Sequence, residues 1–239
     1  MILRENIKNI VCESNSIGLY NEYNLHAQII AAEALPDDRL EVKVDGYIID
    51  IVRKNRLIEI QTKNFSSIKK KLYKLIPKHG IKLIYPITKE KLIIKIEPGS
   101  KKEISRRRSP KKGKLVDLFK ELIYIPDLIV HKNFEIEVLL IKEEEIRCAD
   151  GLGSWRRCGV SIVNRQLVEI VKRVKLKKRQ DFKMFLPQGL PSPFTNNVFT
   201  EYSHYSIYTV RKLTYCLKKM GIIKECGKLG RNLLFELAI

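Results

Sequence analysis

The sequence has little cysteine, and its cysteines form no pattern that would organise a fold. The five cysteines are odd in number, widely spaced and include no CxxC pair, which argues against a disulfide framework and against a zinc ribbon. The four histidines add no metal-ligand spacing to them. This cysteine usage is typical of a reducing, cytoplasmic setting.

Long apolar runs are also missing. No stretch approaches the roughly 20 apolar residues that a membrane span needs, and residues 1–16 lack the long apolar core of a signal peptide. We therefore expect no membrane association. At 44% hydrophobic residues the chain can still bury a real core.

Acidic residues are heavily outnumbered. The chain has 27 Asp and Glu against 46 Lys and Arg, which gives a net charge of +19. Such an excess favours a polyanionic partner, and we expect nucleic acid rather than an acidic membrane surface. A protein that is merely rich in lysine is the alternative.

The periodicity of residues 1–98 predicts one mixed sheet with helices packed on it. In the first helix, an apolar stripe is expected at Leu19, Tyr23, Ala27, Ile30 and Ala34. Ser66 or Ser67 is expected to cap the second helix. The expected order is helix, three strands, helix and two strands, over residues 19–35, 39–44, 47–52, 57–62, 65–79, 81–87 and 91–96.

Three polar residues lie inside the predicted second and third strands: Asp50 in YIIDIV, and Glu59 and Gln61 in LIEIQT. Burying an unpaired carboxylate is costly or shifts its pKa, so these residues need a partner. Alternation puts Glu59 and Gln61 on one strand face, and pairing of the two strands can bring Asp50 to the same spot. Hard cations such as Mg²⁺ bind carboxylates, water and substrate phosphate, so metal-assisted phosphodiester hydrolysis is one interpretation. An ordinary exposed sheet face is the other.

Asp50, an eight-residue gap and then Glu59-Ile60-Gln61 resemble the signature of the PD-(D/E)XK nucleases. The order of elements over about residues 19–87 resembles the core of that family, which implies a restriction-endonuclease-like α+β fold with a mixed central sheet. The resemblance implies Asp50 and Glu59 as ligands of Mg²⁺, or of Mn²⁺, joined by the Ile60 backbone carbonyl. Glu22 on the first helix takes the position of a further catalytic carboxylate, with a solvated helix face as its alternative.

Two departures from the family pattern stand out. No proline precedes Asp50, and Gln61 stands where the family usually has lysine. Glutamine can hold a water but supplies no charge, so Lys63, two residues on, is expected to supply it. A degenerate site that binds nucleic acid without cutting is the alternative. Lysines in the following run 69–74 are expected either to approach the substrate or to form a solvated helix face.

Residues 99–187 open with a block of like charge, SKKEISRRRSPKKGK. We expect a solvated arm that binds phosphate without sequence choice, or else a disordered loop. The candidate phosphate-binding residues of this arm are Arg106, Arg107, Arg108, Lys111 and Lys112.

The rest of this middle region is expected to form a short helix over 115–123 and strands over 134–141 and 166–176. The run Glu143–Glu145 between the strands reads as a solvated acidic segment, or as a partner of the basic arm. Trp155 is expected either to stack on a base, with Arg156 and Arg157 gripping phosphate, or to pack in the core.

Residues 188–239 follow a linker, PQGLPSP. A helix capped by Thr195, a second helix ended by Gly221 and a hairpin are expected, and together they resemble a winged helix. The resemblance implies that the second helix enters the major groove of DNA and that the wing contacts phosphate or the minor groove. A protein-interaction or dimerisation module is the alternative, which leaves a homodimer open. The implied contacts are Tyr208, Arg211, Lys212, Lys218, Lys228 and Arg231.

The whole chain also resembles a family of uncharacterised prokaryotic proteins, in stretches such as IEIQTKNFSSIKKKL and GSWRRCGVSIVNRQLVEIV. This resemblance implies no activity. The expected function is Mg²⁺-dependent cleavage of DNA, with the winged helix holding the duplex. A non-catalytic DNA-binding regulator and an adaptor that binds protein are the alternatives.

Overall fold

A mixed seven-stranded sheet organises the chain in the computed structural model, which describes residues 20–100 and 102–238. Side chains of the first helix are described from Asn24 onward. The elements in chain order are α1 (Tyr20–Glu33), β1 (Arg39–Val44), β2 (Tyr47–Arg53), β3 (Arg56–Ile60), α2 (Phe65–Leu75), β4 (Gly80–Ile96), β5 (Glu103–Arg108), α3 (Phe119–Leu122), β6 (Phe134–Cys148), β7 (Ser161–Leu176), α4 (Asn196–Ser203), α5 (Ile207–Lys219), β8 (Ile223–Leu229) and β9 (Asn232–Leu237).

The three segments that the sequence predicts as strands form an antiparallel meander. β1 pairs with β2 and β2 with β3, each across a two-residue turn. In the first turn Asp45 and Gly46 both have positive φ, which suits the twist of tight hairpins. α2 then crosses over so that β4 runs parallel to β3, because a parallel neighbour requires a longer connection.

β4 is one long strand, which corrects the prediction of two separate strands. It continues through Pro86 and contains a bulge between Thr88 and Glu90. Its first part pairs with β3 and its last part with β5, while β6 runs along its other edge for nearly its whole length. β6 in turn pairs with β7, so the middle region extends the first sheet.

α1 covers one face of the sheet, through a stripe that shares Ile30 with the predicted one but otherwise differs from it. Leu25, Ile29 and Ile30 are buried against sheet residues such as Ile58 and Ile84, whereas Ala27 is exposed. Leu19 and Tyr23 lie outside the described residues or side chains. Ile30 is buried as predicted, but the phase taken from the small alanines was wrong, because burial follows the larger branched residues that remove more apolar area from water.

The opposite face packs against α2, α3 and the C-terminal helices in one continuous apolar cluster. Phe194, Val210 and Leu217 of the C-terminal segment belong to the same cluster as Ile49 and Phe119. Residues 194–238 form two helices followed by the hairpin β8–β9. The predicted cap is confirmed, since Thr195 Oγ1 accepts a hydrogen bond from the Val198 N–H at 3.3 Å.

Two local predictions need correction. α2 is preceded by Asn64 in the left-handed region, at φ 62°, and neither Ser66 nor Ser67 caps it. Residues 103–108 of the basic arm form β5, an ordered edge strand whose side chains are all exposed. Within the described ranges, no helix is long and apolar enough to cross a bilayer.

Candidate functional site

Asp50 and Glu59 lie on the adjacent paired strands β2 and β3. The Asp50 side chain is 14% exposed and that of Glu59 is 8% exposed. Asp50 Oδ2 accepts a hydrogen bond from the Ile60 backbone N–H at 2.7 Å, which ties the first carboxylate to the strand that carries the second. The structure thus brings Asp50, Glu59 and the Ile60 backbone together.

The Glu59 carboxylate is held in an unfavourable environment for its charge. Burial and the nearby charge of Asp50 raise the pKa of Glu59 to about 7, against partial compensation by Lys71 and His26. Its Oε2 atom is buried and accepts no hydrogen bond from a described residue. A buried polar atom without a partner calls for an explanation, and an absent ligand is one.

Lys71 on α2 is the cation of this site, and the sequence indicated it only as one member of the lysine run 69–74. Its Nζ donates to Glu59 Oε1 at 2.5 Å and to the Ile48 carbonyl at 2.5 Å. The sequence feature that could have identified Lys71 is its position in the helical repeat of α2. Lys71 follows Ile68 by three residues and precedes Leu75 by four, so it lies along the buried stripe of α2. Lys69 and Lys70 are exposed.

Gln61 is engaged in local structure. Its backbone N–H donates to the Ile84 carbonyl at 2.9 Å, and its side-chain amide donates to the carbonyls of Lys63 at 2.5 Å and Asn64 at 3.3 Å. The amide therefore fixes the loop between β3 and α2. Lys63 lies in that loop and is exposed, whereas Lys71 reaches Glu59 directly.

α1 brings a histidine to the acidic pair. His26 Nε2 lies 3.2 Å from Asp50 Oδ2. Burial disfavours the charged imidazole, but the hydrogen bond to Asp50 and the negative charges of Asp50 and Glu59 outweigh it and raise the pKa of His26. Glu22, the residue predicted for this position, lies in α1, but its side chain is outside the described residues.

The donor set at this site is small. Among the described side chains, those of residues 24–100 and 102–238, no group of three or more His, Cys, Asp or Glu is arranged to hold a metal ion. The two carboxylates alone match the way Mg²⁺ is usually bound, through one or two carboxylates with water and substrate phosphate completing the shell. Such an ion would be coordinated by Glu59 Oε2, the buried oxygen that accepts no hydrogen bond from a described residue.

The acidic run in β6 is not solvated, which corrects a prediction. The Glu143 and Glu145 side chains are 0% and 3% exposed. Lys91 Nζ lies 2.8 Å from Glu143 and 2.5 Å from Glu145, while Arg165 and Arg147 complete the pairs at 2.6 and 2.5 Å. Alternation along β6 puts these carboxylates on one face, and neighbouring strands supply the cations.

The basic candidates of the middle region are exposed but differ in their surroundings. Arg106 pairs with Glu103 at 2.9 Å. Arg107 lines a cleft together with Arg156 and Arg157. Trp155 is 83% exposed, so the expectation that it packs in the core was wrong. Arg108, Lys111 and Lys112 are exposed.

The C-terminal candidates lie on the outer surface of α5 and on the hairpin. Tyr208 is 75% exposed and Arg211 is exposed. Lys212 is half-buried, and Lys218 pairs with Glu225 at 3.1 Å. Lys228 and Arg231 are exposed around the turn of the hairpin.

Comparison with known proteins places the sheet in a recognised family. Residues 23–177, from within α1 to the end of β7, match a family described as "Domain of unknown function (DUF8091)". The chain belongs to this family. The DUF8091 region contains the Asp50–Glu59 site and the whole sheet, and the C-terminal helices and hairpin follow it.

A relative described as "Uncharacterized protein", from Treponema pallidum (strain Nichols), is 28% identical over 223 residues. The match covers 92% of this chain and 87% of the relative. The similarity to an uncharacterised family over nearly the whole chain is therefore confirmed. No solved structure matches this chain.

Proposed function

We propose that this DUF8091 protein is a metal-dependent nuclease that hydrolyses phosphodiester bonds of DNA. The observation that carries the proposal is the buried Glu59 carboxylate, whose Oε2 accepts no hydrogen bond, placed beside Asp50 in a chain of net charge +19. Burying a carboxylate whose charge is only partly neutralised costs free energy. A bound cation that neutralises the rest of the charge removes that cost.

Asp50 and Glu59 would hold Mg²⁺, with the Ile60 carbonyl as a further oxygen ligand. A bound Mg²⁺ supplies activation of water and neutralisation of the charge that develops on the phosphate. The Ile60 N–H keeps Asp50 oriented through its 2.7 Å hydrogen bond, so the first ligand is positioned before substrate arrives.

Lys71 supplies the positive charge that Gln61 lacks. It reaches Glu59 from α2, and its long flexible side chain can turn toward a substrate phosphate when a metal ion takes over Glu59. Gln61 and Lys63 keep the loop between β3 and α2 in place. This division of roles revises the expectation that Gln61, helped by Lys63, orients the attacking water.

The order of elements around the site supports a restriction-endonuclease-like core. It consists of α1, the antiparallel strands β1 to β3, the crossover helix α2 and the parallel strand β4. The two helices and hairpin at the C-terminus support a winged helix, with Tyr208 and Arg211 on the exposed surface of α5. In that role α5 would contact the duplex, and the hairpin turn would contact phosphates.

One observation favours a second candidate, a DNA-binding regulator without catalysis. Gln61 replaces the lysine usual in PD-(D/E)XK nucleases, and its amide is committed to the carbonyls of Lys63 and Asn64. In this alternative Lys71 acts as a permanent substitute for the metal by neutralising Glu59.

A cleavage assay separates the two. The protein is incubated with supercoiled plasmid, single strands and a branched junction, in Mg²⁺, in Mn²⁺ and in EDTA, beside Asp50→Asn, Glu59→Gln and the exposed control Glu90→Gln. Metal-dependent cutting that both site variants lose and the control keeps supports the nuclease. Salt-sensitive binding without cutting in either metal overturns it in favour of the regulator.

A further inference from the structure

A cationic cleft lies on the sheet away from the Asp50–Glu59 site. Its volume is about 260 Å³, and it is lined by Ile93 and Lys95 of β4, Ser105 and Arg107 of β5 and Arg147 of β6. Arg156, Arg157 and Val160 close it from the loop before β7. At about 3.3 Å per residue, roughly 30 Å of β4 separates Ile93 from Ile84, the level at which β3 ends.

The cleft carries an uncompensated positive charge. Five of its lining side chains are cationic, and none is acidic. Arg147 is paired with Glu145, but Lys95, Arg107, Arg156 and Arg157 make no ion pair with a carboxylate of the described residues. Cations held this close repel one another, so an anionic ligand that sits between them is favoured.

The loop that closes the cleft is ordered by its own backbone. Gly153 N–H donates to the Gly159 carbonyl at 2.9 Å, and a Cβ at Gly153 would meet the Val160 carbonyl oxygen at 1.9 Å. Asp150 anchors the base of the loop through Ser161 Oγ, which donates to it at 2.5 Å. Arg157 Nε donates to the Val160 carbonyl at 3.2 Å. The loop backbone and the Arg157 side chain are therefore held in position before a ligand arrives.

Trp155 stands beside these cations with its ring in solvent. It is 83% exposed, and the Arg156 guanidinium lies 5.5 Å from its ring centroid. An indole this exposed leaves a large apolar ring face open for a stacking partner. An aromatic face next to a cationic groove is the arrangement by which proteins hold unpaired bases and their phosphates. Bases within a duplex are stacked on each other and do not offer their faces to such a ring.

We propose that this cleft binds a single-stranded segment of nucleic acid, with its phosphates between Lys95, Arg107 and Arg157 and one base stacked on Trp155. The inference rests on the proposed action on nucleic acid and names its substrate class, a substrate with an unpaired segment. Roughly 30 Å along β4 then separates the bound segment of nucleic acid from the Asp50–Glu59 site.

The test uses the full-length protein in EDTA, so that it does not depend on cleavage. Because Trp155 is the single tryptophan of the chain, tryptophan fluorescence excited at wavelengths that the ten tyrosines do not absorb reports on this site alone. The probes are an oligodeoxythymidylate of about 12 nucleotides, a duplex of equal length and inorganic phosphate. The single strand is expected to quench the fluorescence at concentrations where the duplex and phosphate do not.

Affinity of the labelled single strand, read by anisotropy, is then compared among variants. Trp155→Ala is expected to weaken binding about tenfold or more, with partial rescue in Trp155→Phe. Arg107→Ala is expected to weaken it several-fold and to reduce the slope of log affinity against log salt by about 0.7. Arg106→Ala removes the same charge from the neighbouring position and is expected to cost less. Arg39→Ala, on the far strand β1, is the control and is expected to match the parent.

Equal quenching by the duplex overturns the preference for single strands. Displacement of the single strand by millimolar phosphate, with Trp155→Ala unchanged, reduces the cleft to a simple anion site and overturns the stacking role. Equal losses in Arg107→Ala and Arg39→Ala show nonspecific charge and overturn the cleft. A cleft that binds single strands in a protein that never cuts keeps this inference and rejects the nuclease.

Discussion

Lys71 of α2 reaches across to β3 and places its Nζ 2.5 Å from Glu59 Oε1. The pair is largely buried, with the two side chains 14% and 8% exposed. Lys71 neutralises only one side of the carboxylate, since Oε2 still accepts no hydrogen bond from a described residue. This half-compensated state is what makes the site a candidate for a further cation.

Replacing Lys71 should destabilise the protein more than replacing its neighbour. Lys71→Met leaves Glu59 buried without its partner, which typically costs about 3 kcal/mol, although protonation of Glu59 limits the loss. Lys70→Met removes an exposed lysine and should change the free energy of unfolding by less than about 0.5 kcal/mol. Urea unfolding at neutral pH measures both, and equal stabilities would contradict the buried pair.

Glu59 should make the protein less stable as pH rises. Its pKa lies near 7 in the folded protein against an ordinary value of 4.5, so the folded state favours the protonated form. The resulting stabilisation is complete below about pH 4.5 and is lost as pH rises through about 7. Glu59→Gln imitates the neutral carboxyl and should lack this dependence. Its free energy of unfolding relative to the parent should therefore increase from about pH 5 to pH 8, and parallel profiles would refute the assignment.

Glu143 should be far more sensitive to substitution than Glu144. Glu143→Gln removes the charge that pairs with Lys91 and Arg165. Arg165 then loses its carboxylate and Lys91 keeps only Glu145, at a cost of about 2–4 kcal/mol. Glu144 is only half-buried and lies on the opposite face of β6, so Glu144→Gln should cost well under 1 kcal/mol. Thermal unfolding of the two variants tests this, and similar midpoints would show that the pairs contribute nothing.

Gly153→Ala should open the loop that carries Trp155. The added methyl would stand 1.9 Å from the Val160 carbonyl oxygen, so the backbone must move, at a cost of about 1–3 kcal/mol. Gly80→Ala is the matched control, because a Cβ there meets no atom within 4 Å. Near-ultraviolet circular dichroism and tryptophan emission should change in Gly153→Ala alone. An unchanged signal would mean that the loop tolerates the methyl.

Local patterns were sufficient for the meander and for the C-terminal helices. A short turn such as Lys54–Asn55 dictates antiparallel neighbours, so the pairing of β2 and β3, the strands that carry Asp50 and Glu59, follows from the chain itself. Thr195 caps α4 through a contact three residues away. Such features need only the geometry of a few consecutive residues.

Charged residues inside strands were harder to interpret. Glu143 and Glu145 belong to a run of charged residues that is typical of a solvated segment. β6 is nevertheless paired along both edges, and the neighbouring strands β4 and β7 supply cations to these carboxylates. Lys71 resembles its lysine neighbours, and only the phase of α2 against the core distinguishes it. Burial of a charge depends on partners distant in the chain, and those partners carry no local signature.

The sequence by itself determined the basic character, the α+β class and the positions of most helices and strands, because these depend on composition and on local periodicity. The tertiary structure alone decided that Lys71 meets Glu59 and that Arg107, Arg147 and Arg157 share one cleft. The arginines of the cleft come together because β4 is longer than β3. Beyond the end of β3, β4 pairs with β5 on one edge and with β6 on the other. Pairing between strands far apart in the chain is set by the packing of the whole sheet, which no short stretch of residues specifies.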